Sequence, residues 1–147
     1  MLNINLLTLN LIMMKETNSK KTQIAATCLL YTIANADNNI DEKELSIIKD
    51  ILIDFFSIDH IDTRELMDES YNTWHNSTDL FQFGNILNNE LTHQDKLDFI
   101  LCIYEVAYID GKCDYFEQEA IKKIANILNI HRNELISAKS EIQYYLK

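Results

Sequence analysis

Apolar residues recur at three- and four-residue steps along most of the chain, the period of helices that bury one face. The first clear stretch begins near Asn18, with Ser19 as its cap, and aligns Ile24, Cys28 and Tyr31 beside Leu30, Ile33 and Ala34. So many of its faces are apolar that it is expected to lie centrally. A second helix starts at Asp41 and carries Leu45, Ile48, Ile51, Leu52 and Phe55 on one stripe. The segments "IDTRELMDESYNTWHNS" and "TDLFQFGNILNNEL" predict a third helix capped near Asp62 and a fourth capped by Thr78, with Gly84 a cost of about 1 kcal/mol inside the latter. Thr92 as cap and Asp95 in the first turn open a second central helix that reaches Tyr108. Asp114 opens another through Leu128, and "HRNELISAKSEIQYYLK" forms the last, with Tyr144 or Tyr145 packing back. Trp74, Tyr71, Phe81 and Phe83 are expected to form an interhelical core cluster.

The pattern repeats. A shift of 73 residues places Ala34 on Ala107, Asp37 on Asp110, Asp41 on Asp114, Glu44 on Glu117, Ile48 on Ile121 and Ile51 on Ile124. Each half therefore reads as an apolar helix, a short acidic turn and an amphipathic helix. Two copies point to an all-α, pseudo-two-fold bundle of about seven helices and not to a solenoid, which needs at least three.

Composition narrows the picture. The 147 residues suffice for one domain, and with only two glycines and no proline the usual punctuation of sheet proteins is missing. A formal net charge of −10 repels a phosphate backbone, and no basic stripe with interleaved aromatics is present, so nucleic acid is not an expected partner. Cys28, Cys102 and Cys113 are odd in number and lack paired metal-ligand spacing, which fits reduced thiols in a cytoplasm; Cys113 reads as a small apolar plug. Residues 1–17 are apolar but broken by Asn3, Asn5 and Asn10, lack a basic leader region and are shorter than the roughly 20 residues that span a bilayer. They read as a tail, as an overextended start with Met13 or Met14 as initiator, or as a weak interfacial segment; the helical domain is expected over residues 18–147.

The candidate chemistry lies in the two turns, "ANADNNIDEKE" and "AYIDGKCDYFEQE". Asp41 with Glu44, and Asp114 with Glu117, have the spacing of capping boxes, and Asn38 or Gly111 stands where a left-handed residue ends the preceding helix. Capping leaves Asp37 and Asp110 unexplained, because an anion at a helix C-terminus is disfavoured by a few tenths to about 1 kcal/mol. Free N–H groups in the turn, a lysine, or a shared cation would offset this. Calcium prefers such clusters of carboxylate oxygens, yet the front half of an EF-hand loop is missing, since Val106 and Tyr108, or Ile33 and Asn35, fall where its first ligands belong.

The doubled pattern, with "EAIKKIANILNI" behind its second copy, resembles the tellurite-resistance TerB family and its relatives, including the N-terminal part of a membrane-anchored DnaJ-like co-chaperone. The resemblance covers about residues 18–147, and Asn38 and Ile109 depart from it. It implies an all-helical bundle with an internal repeat whose acidic side chains hold a divalent cation, most simply Ca2+, and by position it points to Asp37, Asp41, Glu44, Asp110, Asp114 and Glu117. It also implies protein partners, some of them membrane-associated, a cytoplasmic location or one at the periphery of the inner membrane, and a role in tellurite or stress response.

Three function classes follow: a divalent-cation module, a scaffold whose acidic face docks a basic or membrane-associated partner, and an enzyme. No phosphate loop, nucleophile elbow or paired metal histidines are present, and His60, His75, His93 and His131 are scattered as surface or capping groups. Acid–base work by the paired carboxylates requires one of them to be desolvated, and their expected place on the surface argues against it.

Overall fold

The computed structural model describes residues 6–146, with side chains from residue 20 onward. Seven helices and no strands make up the described residues: α1 (Leu6–Ala34), α2 (Glu42–Phe56), α3 (His60–His75), α4 (Phe81–Glu90), α5 (His93–Ala107), α6 (Tyr115–Ile127) and α7 (Arg132–Tyr145). The first helix starts well before Asn18, so Ser19 lies inside it and is not its cap; the expectations for residues 1–5 fall outside the described residues. No described helix is long and apolar enough to cross a membrane.

The all-round apolar character of α1 from Ile24 onward makes it the axle of the bundle, packed against α2, α3, α4, α5 and α6. The second axle is α5, whose buried Phe99, Ile100, Ile103 and Val106 meet α1, α2, α6 and α7. Ile48, Ile51 and Leu52 of α2 and Ile121, Ile124 and Ala125 of α6 fill the equivalent places of the two halves. Leu45 leaves its expected core stripe and faces a groove between α2 and α3.

Besides Ser19, two further caps differ from expectation. The N-cap of α3 is Asp59, whose carboxylate accepts the N–H of Asp62 at 2.7 Å; with an aspartate at each end of the first turn, the earlier one takes the cap and Asp62 becomes its donor. Thr78 does not cap α4: the carboxylate of Asp79 accepts the N–H of Phe81 at 2.9 Å instead. At α5 the expected box is present, Thr92 accepting from the Asp95 N–H at 3.1 Å.

The aromatic cluster is also rearranged. Trp74 and Tyr71 join Tyr31 of α1, with ring centroids 5.8–5.9 Å apart, whereas Phe81 is exposed and Phe83 is buried separately. Tyr144 and Tyr145 do not pack back: both are exposed and lean on each other, and Ile142 anchors α7 in their place.

Lys96 is the unexpected residue of the core. It is 9% exposed, and its ammonium donates to Asn88 Oδ1 at 2.9 Å and to the carbonyl of Leu128 at 3.3 Å. Asn88 in turn donates to the carbonyl of Ile127 at 2.7 Å. Since α6 has no basic residue in its own last turn, the cation that satisfies its negative end comes from α5. Lys96→Met should keep the aliphatic packing but orphan both acceptors, lowering unfolding free energy by about 1–3 kcal/mol in chemical denaturation.

Candidate functional site

Both acidic turns are built alike. At the end of α1 the chain passes through Asn38 at φ 65° and enters α2 at Asp41; at the end of α5 it passes through Gly111 at φ 92° and enters α6 at Asp114. These are the left-handed residues the sequence called for. The Asp41 carboxylate accepts the Glu44 N–H at 2.8 Å, and Glu44 Oε1 accepts the Asp41 N–H at 3.1 Å. Asp114 and Glu117 repeat both bonds at the same lengths. One oxygen of each of these four carboxyls is thereby used for capping, and the other takes no hydrogen bond among the described residues.

Asp37 and Asp110, by contrast, have unequal surroundings. Asp37 Oδ1 accepts the Asn39 N–H at 3.0 Å, so a turn amide offsets its unfavourable place at the end of α1. Asp110 is exposed and has no hydrogen-bond partner among the described residues.

The burial of the glutamates corrects the expectation that these carboxyls are simply surface groups. Glu44 is only 5% exposed and Glu117 is half-buried. Burial pushes the Glu44 carboxyl up to about 7; the charges of Asp41, Asp37 and Asp110 push the same way, while the Asp41 N–H opposes them. Burial likewise pushes Glu117 up to about 7, with Asp114, Glu44 and Asp37 adding to it against the Asp114 N–H. The two turns are thus within electrostatic reach of each other: Asp110 acts on Glu44, and Glu44 and Asp37 act on Glu117. Sequence spacing placed the six carboxyls in two sets, and the packing of the ends of α1 and α5 brings the sets to one end of the bundle.

Among the described residues, no three His, Cys, Asp or Glu side chains are gathered closely enough to hold a metal ion as they stand. The histidines lie elsewhere. His93 pairs with Glu134 at 2.7 Å, tying the starts of α5 and α7, and His75 stacks on Tyr71. The three cysteines are unpaired, and Cys113 is the buried plug beneath the second turn, its thiol pushed up to about 11 by burial.

Comparison with curated proteins and with solved structures gave no match. The model of one family, described as tellurite resistance protein TerB, matches residues 23–140, which takes in α1 beyond its first turns, both acidic turns and most of α7. With its helical bundle and doubled acidic turn, the chain belongs to the TerB family.

Proposed function

We propose that this protein is a non-enzymatic module of the tellurite and stress response that binds a divalent cation, calcium by preference, between its two acidic turns. The observation that carries the reading is the pair of glutamates, Glu44 and Glu117, each withdrawn from water and each charged against acids of the opposite turn. Such an arrangement is costly unless protons or a cation neutralise it. Hard oxygen donors of this kind suit calcium, which accepts irregular coordination, better than magnesium, which demands near-octahedral geometry. The capping bonds leave one oxygen on Asp41, Glu44, Asp114 and Glu117, and Asp37 and Asp110 complete the donor set. Because those oxygens must converge on binding, affinity is expected on the order of 10⁻⁴–10⁻³ M, as in weak calcium modules.

Asp110→Asn is the informative variant, since Asp110 makes no capping bond and its loss leaves both helices intact. Calorimetric titration should give calcium binding by the native chain and binding about tenfold weaker by the variant. Absence of heat and of any thermal shift at millimolar calcium would defeat the reading.

A second reading, a scaffold that docks a basic or membrane-associated partner on the same face, is favoured by Tyr115 and Phe116. They are 68% and 64% exposed and in edge contact beside the second turn, an apolar foothold next to negative charge. Capture of cellular partners by the native chain but not by Tyr115→Ser/Phe116→Ser, with no calcium binding, would select it.

A further inference from the structure

The repeat gives each half a groove, and the two grooves have diverged. The first lies between α2 and α3 over Tyr31; the second, of about 590 Å3, lies between α6 and α7 over Tyr104. The two tyrosines are equivalent under the 73-residue shift, and so are Lys49 and Lys122, one in each groove.

The first groove is closed in its chemistry. Tyr31 donates its hydroxyl to the carbonyl of Met67 at 2.9 Å, and Glu42 and Asp68 balance Lys49 and Arg64 along the walls. Matters differ in the second. Its lining contains Lys122, Arg132 and Lys139 and no acidic side chain, in a chain whose net charge is −10. Tyr104 is 4% exposed as a residue, and its hydroxyl, which makes no hydrogen bond within the described residues, reaches the water of the groove; the unpaired buried side-chain oxygen among those residues is Ser70 Oγ, elsewhere in the bundle. A tyrosine hydroxyl that meets only water in a groove is free to donate to a bound group.

Cation placement adds to this. Arg132 is the first residue of α7, at the positive end of that helix dipole, where a cation is disfavoured. Among the described residues, Lys122 alone of these three cations has an acidic partner, Glu119 at 3.3 Å, in an exposed pair of little strength. Along α7, Arg132, Leu135, Ile136 and Lys139 recur at three- and four-residue steps, so one stripe alternates charge with apolar surface over about 10 Å. The opposing stripe on α6 offers Gln118, Lys122 and Ala125.

We propose that the α6–α7 groove is a binding site for a small amphipathic organic anion, a carboxylate or phosphate monoester with an apolar body. Arg132, Lys122 and Lys139 surround its charged group, the Tyr104 hydroxyl donates to it, and Leu135, Ile136 and Ile130 cover the body. A cavity of this size with an apolar wall and a few converging donors is typical of small-molecule sites. None of the six carboxyls of the acidic turns takes part, so the site stands apart from the cation reading.

Amide chemical-shift titration of the full chain tests it, with phenyl phosphate as probe and benzyl alcohol and inorganic phosphate as controls. Phenyl phosphate is expected to saturate shifts confined to α6, α7 and Tyr104, binding about tenfold more tightly than either control because only it supplies both charge and ring. Tyr104→Phe should weaken it about tenfold, the worth of one hydrogen bond to a charged group, and Arg132→Gln/Lys139→Gln by at least as much, with the rest of the spectrum unchanged. Equal binding of either control, unchanged affinity in the double variant, shifts centred on α2 and α3, or no saturable shift would each overturn the proposal.

Discussion

Without divalent metal, raising the pH from about 5 to about 8 is expected to destabilise the fold through Glu44 and Glu117, and Glu44→Gln/Glu117→Gln to remove most of that loss. Both carboxyls stand near 7 in the folded chain and near 4.5 when unfolded. Between those values the folded state holds more protons than the unfolded one, so stability declines as pH rises through the window and levels off above about 7. One pKa unit corresponds to about 1.4 kcal/mol; allowing for solvent screening, each group should cost about 1–3 kcal/mol at alkaline pH, and the pair less than the sum because they act on each other. Glutamine imitates the protonated acid and its carbonyl can still accept the N–H of Asp41 or Asp114, so the boxes survive. Denaturant unfolding at several pH values in chelator should therefore give a falling line for the native chain and a flatter one for the double variant. Millimolar calcium should lift only the native chain. A native line that rises over the same window, relative to the variant, would disprove the assignment.

Gly84→Ala should destabilise the protein by about 1–3 kcal/mol, against the direction helix propensity alone gives. Alanine in a helix interior is favoured over glycine by about 1 kcal/mol. At Gly84, however, an added Cβ would sit 2.0 Å from Ile127 Cγ2 and 3.2 Å from Ile127 Cβ. The first contact involves a side-chain methyl, but the Cβ behind it is fixed to the last residue of α6, so relief requires α4 and α6 to part and overpacking outweighs propensity. Thermal unfolding should fall by several degrees. Ile127→Ala, destabilising alone by loss of packing, should offset part of the effect in the double variant; strict additivity of the two losses would refute the contact.

The same glycine marks where sequence reasoning stops. Periodicity reached all seven helices because one-sided burial leaves a repeating trace, and Asp41, Thr92 and Asp114 were legible because caps are local chemistry. Gly84 was read as a mere tolerance, since its neighbour is 43 residues away and nothing local announces it. Lys96 was missed for a similar reason: its acceptors belong to α4 and the end of α6. The acidic site divides in the same way. Its six residues follow from the doubled spacing and the family resemblance, whereas the burial of Glu44 and Glu117 and their influence across the two turns arise only when α1 and α5 pack side by side.

Lys96 has a wider consequence. It stands on the first turn of the second half, receives support from Asn88 in the first, and closes the final turn of α6. Neither half can complete its own hydrogen bonding at this joint while the other is open. The chain should therefore melt as one cooperative body, its two-fold repeat visible in shape but not in thermodynamics.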